Sequence, residues 1–176
     1  MALIDPAIIG ALSAVVSLAG AGLTWRNARG VKLHAGYELA RSLYGTLVSA
    51  QMCEVRDALE AYRRAAQRSR RDAKDILPSY FALLWCFEGI LVGRRSLVRQ
   101  WKLNGTGPAV TYLDDAIRWH LREWVKRWPQ LRGLITEHVR DLDDQHSLRS
   151  LIELAVDVLG EGAEMESLRS QLPGNQ

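Results

Sequence analysis

Residues 7–25 read AIIGALSAVVSLAGAGLTW, nineteen residues without a charge, and Arg26, Arg29 and Lys32 follow directly. At about 1.5 Å per residue, a helix of this length matches the roughly 30 Å hydrocarbon core of a bilayer, so the run predicts one transmembrane crossing. Cytoplasmic flanks of spanning helices are rich in Lys and Arg; here the basic residues follow the run and Asp5 precedes it. The expected orientation is therefore N-terminus outside and the rest of the chain in the cytoplasm, as in a single-pass inner-membrane protein. A buried helix of a soluble domain is one competing reading, and a cleaved secretory signal is the main one, because Ala19-Gly20-Ala21 has the small-x-small form of a cleavage site. It lacks the basic residues such signals carry before the apolar run, and an uncleaved anchor is the better fit.

The anchor has a face of small residues: Gly10, Ser13, Ala14, Ser17, Gly20 and Ala21 recur at three- and four-residue steps. Small side chains let spanning helices approach closely, which makes Gly10, Ser13, Ala14, Ser17 and Ala21 the expected contact of a homo-oligomer. Small residues are also common in spanning helices that pair with nothing.

Beyond the anchor (1–25) the sequence has the length of one domain (26–172) before a polar tail (173–176). Apolar residues there recur at helical steps and no run alternates long enough for a strand, so the expected fold is all-α, a cytoplasmic helical bundle with a long first helix. That helix is placed at Val31–Lys74, running on from the anchor without a proline. Leu39, Leu43 and Leu47 drift to Val55, Leu59 and Tyr62, a departure from heptad spacing that argues against a coiled coil. A second helix is expected from Pro78, as a first-turn proline, to Gly93, as a left-handed cap; at about fifteen residues it is short for a span and suits the centre of a bundle. A short amphipathic piece, RRSLVRQWKL, leads to the turn Asn104–Pro108. The next helix carries Val110, Leu113, Ile117, Leu121, Trp124 and Trp128 on one stripe, with Pro129 expected to break it. LRGLITEHVRDL then forms a short helix, and Asp143, Asp144 or Ser147 caps a last one running to about Leu172.

Charge is segregated along the chain. Residues 26–71 carry ten basic and four acidic side chains, residues 94–132 nine and three, and residues 137–166 two and nine. The simplest consequence is an acidic C-terminal helix folded against a basic one; the alternative leaves a basic face for anionic lipid or nucleic acid. The basic group Arg63, Arg64, Arg68, Arg70, Arg71 and Lys74 reads as a solvated helix end or a contact with the acidic C-terminal helix, with a nucleic-acid partner not expected. Nineteen Arg against four Lys suggest a GC-rich bacterial genome.

Few residues suggest chemistry. Glu88 is the one charge between Asp75 and Arg94, and a carboxylate in an apolar helix needs a cation or donors. Arg95 lies on the same helical face, so a buried Glu88–Arg95 ion pair is the expectation. Asp143-x-x-His146 is the nearest approach to a metal site, but its acidic residues suit a helix cap, and no metal is expected. Cys53 and Cys86 have no paired spacing and read as small apolar residues. No phosphate-binding loop, serine elbow or Cys/His signature is present, so neither a cofactor nor an enzymatic activity is expected. Arg118, Arg122 and Lys126 form a basic stripe with Trp119 among them, a surface suited to a protein partner or a lipid headgroup layer.

The order of a single N-terminal span, a long basic helix, then Leu83-Leu84-x-x-Phe87-Glu88-x-Ile90, then a Trp-rich helix before Pro129 resembles an uncharacterised bacterial family of small membrane-anchored helical proteins. The resemblance covers most of the chain and implies the architecture only. Three functional readings follow: a membrane-tethered interaction or scaffold module; a self-associating membrane effector in stress or phage defence; and an enzyme with an unrecognised site.

Overall fold

The computed structural model describes the backbone of residues 6–65, 73–104, 107–139 and 141–172, and the side chains of 27–65, 73–101, 107–139 and 141–172. These residues are all-helical: α1 Pro6–Leu47, α2 Ala50–Ala65, α3 Ala73–Asn104, α4 Gly107–Thr136, α5 Gln145–Leu159 and α6 Ala163–Arg169. The anchor run continues into the domain as one unbroken helix of 42 residues. Gly10, Ser13, Ala14, Ser17 and Ala21 lie on its backbone, but their side chains and the proposed contact they form are outside the described residues.

The long helix expected to reach Lys74 instead breaks at Val48 and Ser49. Ser49 causes the break: its hydroxyl donates to the Thr46 carbonyl at 2.9 Å and accepts from the Met52 amide at 3.2 Å, acting as the N-cap of α2. The shift from Leu47 to Met52, Leu59 and Tyr62 as buried residues is that break, seen as a change of face.

Three proline and glycine expectations also need correction. Pro78 lies inside α3, and Gly93 is a mid-helix residue whose missing side chain makes room for α1, since a Cβ there would lie 2.5 Å from Leu43 Cδ1. The expected short helix and the amphipathic piece after it are thus one helix of 32 residues. Pro129 lies inside α4, which runs on to Thr136; the ring costs one backbone hydrogen bond, and the buried flanking residues Val125, Trp128 and Leu131 hold the helix across it. At the C-terminal end the single expected helix is two, because Gly160, with φ of 84°, ends α5 in a conformation disfavoured for any other residue.

Helix α3 is the centre, packed by α1, α2, α4 and α5. By length and composition alone, its Ala73–Trp101 stretch could cross a membrane. Here its apolar side chains Tyr80, Leu83, Leu84, Phe87, Ile90 and Leu91 are buried against neighbouring helices. The stripe Val110, Leu113, Ile117, Leu121, Trp124 and Trp128 is buried on the facing side of α4.

Beneath α5 lies a buried polar knot. Asp144 has no exposed side-chain surface; Arg132 grips both its carboxylate oxygens at 2.8 and 3.0 Å, and the Tyr80 hydroxyl donates to it at 2.6 Å. Asp144 occupies the N-cap position of α5 without capping it, because its oxygens are committed to this knot. Burial, then the adjacent carboxylate, push the Tyr80 phenol up, and the Asp144 hydrogen bond raises Arg132 further. Acidic α5 does fold against basic α3: Arg95 pairs with Glu153, and Arg94 bridges Asp114 on α4 and Asp157 on α5 at 2.7 Å each.

Candidate functional site

Helices α2 and α4 lie side by side in parallel, and their facing side chains form a cleft of about 330 Å³. The register is fixed at three levels: Arg56 meets His120, Glu60 meets Arg127, and Arg63 meets Gln130. Both helices repeat polar side chains at three- and four-residue steps there, which puts Cys53, Arg56 and Glu60 on one face of α2 and His120, Glu123 and Arg127 on the opposing face of α4.

The floor and far wall are locked. Glu60 accepts from Arg63 at 2.9 Å and Arg127 at 2.8 Å, with Arg64 at 3.7 Å. Burial pushes the Glu60 carboxyl up, but the arginines outweigh it and hold the group below the ordinary carboxylate range. Arg127 also binds Glu123 and lies over the Trp124 ring, 5.9 Å from its centroid.

The near end is different. Arg56 Nη1 approaches His120 Nδ1 at 2.9 Å, and Nη2 approaches Cys53 Sγ at 3.0 Å. A guanidinium can only donate, so Nδ1 is the acceptor and the imidazole proton sits on Nε2. Burial, then the Arg56 charge, hold His120 below the ordinary imidazole value, so it is neutral at neutral pH. Arg56 is thus a cation whose partners are a neutral ring and a thiol; among the described residues no carboxylate pairs with it. Trp119 stands at the rim, 65% exposed, edge-on to His120 with centroids 4.9 Å apart. The cleft therefore offers an aromatic surface beside a guanidinium able to bind a carboxylate.

No family model matches this chain. Neither a curated protein nor a solved structure matches it.

The expected surface of Arg118, Trp119, Arg122 and Lys126 is divided. Trp119 belongs to the cleft, whereas Arg118 donates to the Val158 carbonyl at 2.9 Å and Arg122 faces the α5–α6 turn around Gly160. Lys126 is exposed between them. The Glu88–Arg95 pair does not form. Glu88 is half-buried at the α3–α5 contact, where Ser147 donates to one oxygen at 2.8 Å and His146 Nε2 lies 3.2 Å from the other, while Arg95 turns to Glu153. His146 thus lies beside Glu88, and the described residues hold no group of three or more His, Cys, Asp or Glu placed to hold a metal ion. Of the basic group near the end of α2, Arg63 and Arg64 bind Glu60, and Arg68, Arg70 and Arg71 are outside the described residues.

The sequence reading missed Arg56, His120 and Cys53. A three-residue step from Cys53 to Arg56 is visible, but an ordinary solvated helix shows the same step. Only the break at Ser49 turns that face toward α4.

Proposed function

We propose that this chain is a single-pass, membrane-tethered interaction module of a bacterial inner membrane, its helical domain on the cytoplasmic side, and that the α2–α4 cleft is where a protein partner docks. The membrane reading is supported by the charge-free run 7–25, its basic C-terminal flank and the unbroken helix that carries it into the domain. The docking reading rests on one observation: an exposed Trp119 stands beside Arg56, with which no carboxylate among the described residues pairs. Aromatic and arginine side chains dominate binding energy at interfaces when both are desolvated by the partner. The segment that fits presents an apolar side chain to Trp119 and a carboxylate to Arg56.

The test is crosslinking and purification of the full chain from native membranes. The wild type brings down a stoichiometric partner; Trp119→Ala and Arg56→Glu lose it while keeping a cooperative melting transition, and Trp85→Ala, exposed on α3 outside the cleft, retains it. Retention of the partner by both cleft variants rejects the assignment.

A further inference from the structure

The pairing of helices fixes which end of the domain faces the bilayer. Tyr37 of α1 meets Tyr112 of α4 with centroids 6.0 Å apart, and Tyr44 meets His120 at 6.3 Å, so α1 and α4 run in the same direction. Helix α3 runs against α4, since Arg94 binds Asp114 while Tyr80 stacks on Trp128 at 4.9 Å. The C-terminal end of α3 and the start of α4 therefore lie beside the part of α1 nearest the apolar run. There Trp101 closes over Gly107, where a Cβ would lie 2.7 Å from the indole nitrogen.

This end has a distinct surface. Trp101 is 55% exposed, Tyr112 and Val31 are also exposed, and Arg99 points to solvent one turn before the close of α3. Carboxylates toward this end are paired with arginines: Arg94 holds Asp114 and Asp157, Arg41 holds Glu38, and Arg118 lies 3.6 Å from the exposed Asp115. With Tyr112 level with Tyr37, Gly107 falls opposite a point on α1 roughly seven residues past Trp25, or about 10 Å along the axis. The headgroup layer on each side of the hydrocarbon core is about 5–7 Å deep, and spanning helices tilt by about 20°. A tilt of that size toward α3 and α4 lowers this end by about 3 Å over a helix spacing of about 9 Å, which brings the indole to the headgroup layer, and Arg99 then lies on the order of a Debye length, ~8 Å, from the headgroup charge. Tryptophan and tyrosine favour this layer because the ring is apolar and its N–H or O–H is polar.

We infer that the α3–α4 end of the domain, through Trp101, Tyr112 and Arg99, rests on the anionic surface of the bilayer that α1 crosses, as a second lipid contact. This rests on the membrane anchor proposed above. Trp85 and Trp119, equally exposed, lie far up the domain and serve as controls.

The full chain is reconstituted into phosphatidylcholine vesicles with a minor share of phosphatidylglycerol, carrying a nitroxide on some of the choline headgroups, and tryptophan quenching is recorded. Trp101→Phe removes a quenched component, and Trp119→Phe does not. Arg99→Glu weakens the quenching in anionic vesicles and not in pure phosphatidylcholine. Vesicles from which alkaline carbonate does not extract the chain, but in which Trp101→Phe leaves quenching unchanged, overturn the inference and leave the anchor standing. Extraction by carbonate overturns the anchor, and the inference with it. Identical quenching of wild type and Arg99→Glu in anionic vesicles overturns the electrostatic part.

Discussion

Asp144 is the residue on which the domain's integrity turns. Its carboxylate is out of water and is held by the Arg132 fork and the Tyr80 hydroxyl. Removing one partner of a buried pair strands the other charge, so Arg132→Ala is expected to cost about 3–5 kcal/mol in a denaturant titration of the solubilised chain. Arg132→Lys keeps the charge, loses the second hydrogen bond and costs less. His120 carries the opposite kind of signature. Its folded pKa is lowered by burial and Arg56, so the unfolded chain takes up a proton that the folded chain refuses. The contribution of neutral His120 is fully present above the unfolded value of about 6.5 and is lost as pH falls below it toward the lower folded value. Melting temperatures measured across that window decline toward acid in the wild type, and the decline is shallower in His120→Gln.

At the scale of elements, the division between α1 and α2 depends on one hydroxyl. Ser49→Ala removes the acceptor for the Met52 amide and should destabilise the domain by about 1 kcal/mol, read as a lower denaturation midpoint at unchanged slope. The same region shows what a sequence can and cannot disclose. The apolar stripe of α4 was legible from Val110 to Trp128, because a helix facing a core imposes its own period and every member is buried. Gly93, Pro78 and Pro129 were misread, because each has a default local meaning that tertiary packing overrode. Leu43 needed the space at Gly93, and the core around Trp128 carried α4 through Pro129. Glu88 was legible as a carboxylate in need of partners, but Ser147 and His146 come from a helix almost sixty residues away, and spacing cannot name them. The cleft was legible only in Trp119; its other half belongs to α2, whose orientation depends on a break at Val48 and Ser49, neither of them a proline or a glycine.

For the whole molecule, part of the charge segregation of the sequence is taken up between helices, as Arg94, Arg95 and Arg132 bind Asp157, Glu153 and Asp144. What remains exposed and basic is therefore more informative than the net charge of +3. The proposed topology has a direct check: an epitope placed ahead of residue 7 is removed by protease added outside intact cells, and one placed after residue 172 survives until the cells are opened. The reverse pattern rejects the orientation. Because α1 passes from the apolar run to the core as a single helix, the domain is not on a leash. A glycine-rich tether would let the cleft sweep a hemisphere and meet partners at any bearing. A helical shaft fixes both its standing height and its compass direction. With Tyr44 beside His120, the cleft stands on the order of 27 Å beyond Arg26 at helical rise, so under the proposed membrane tether a partner rooted in the same membrane would have to bring its docking segment to that height.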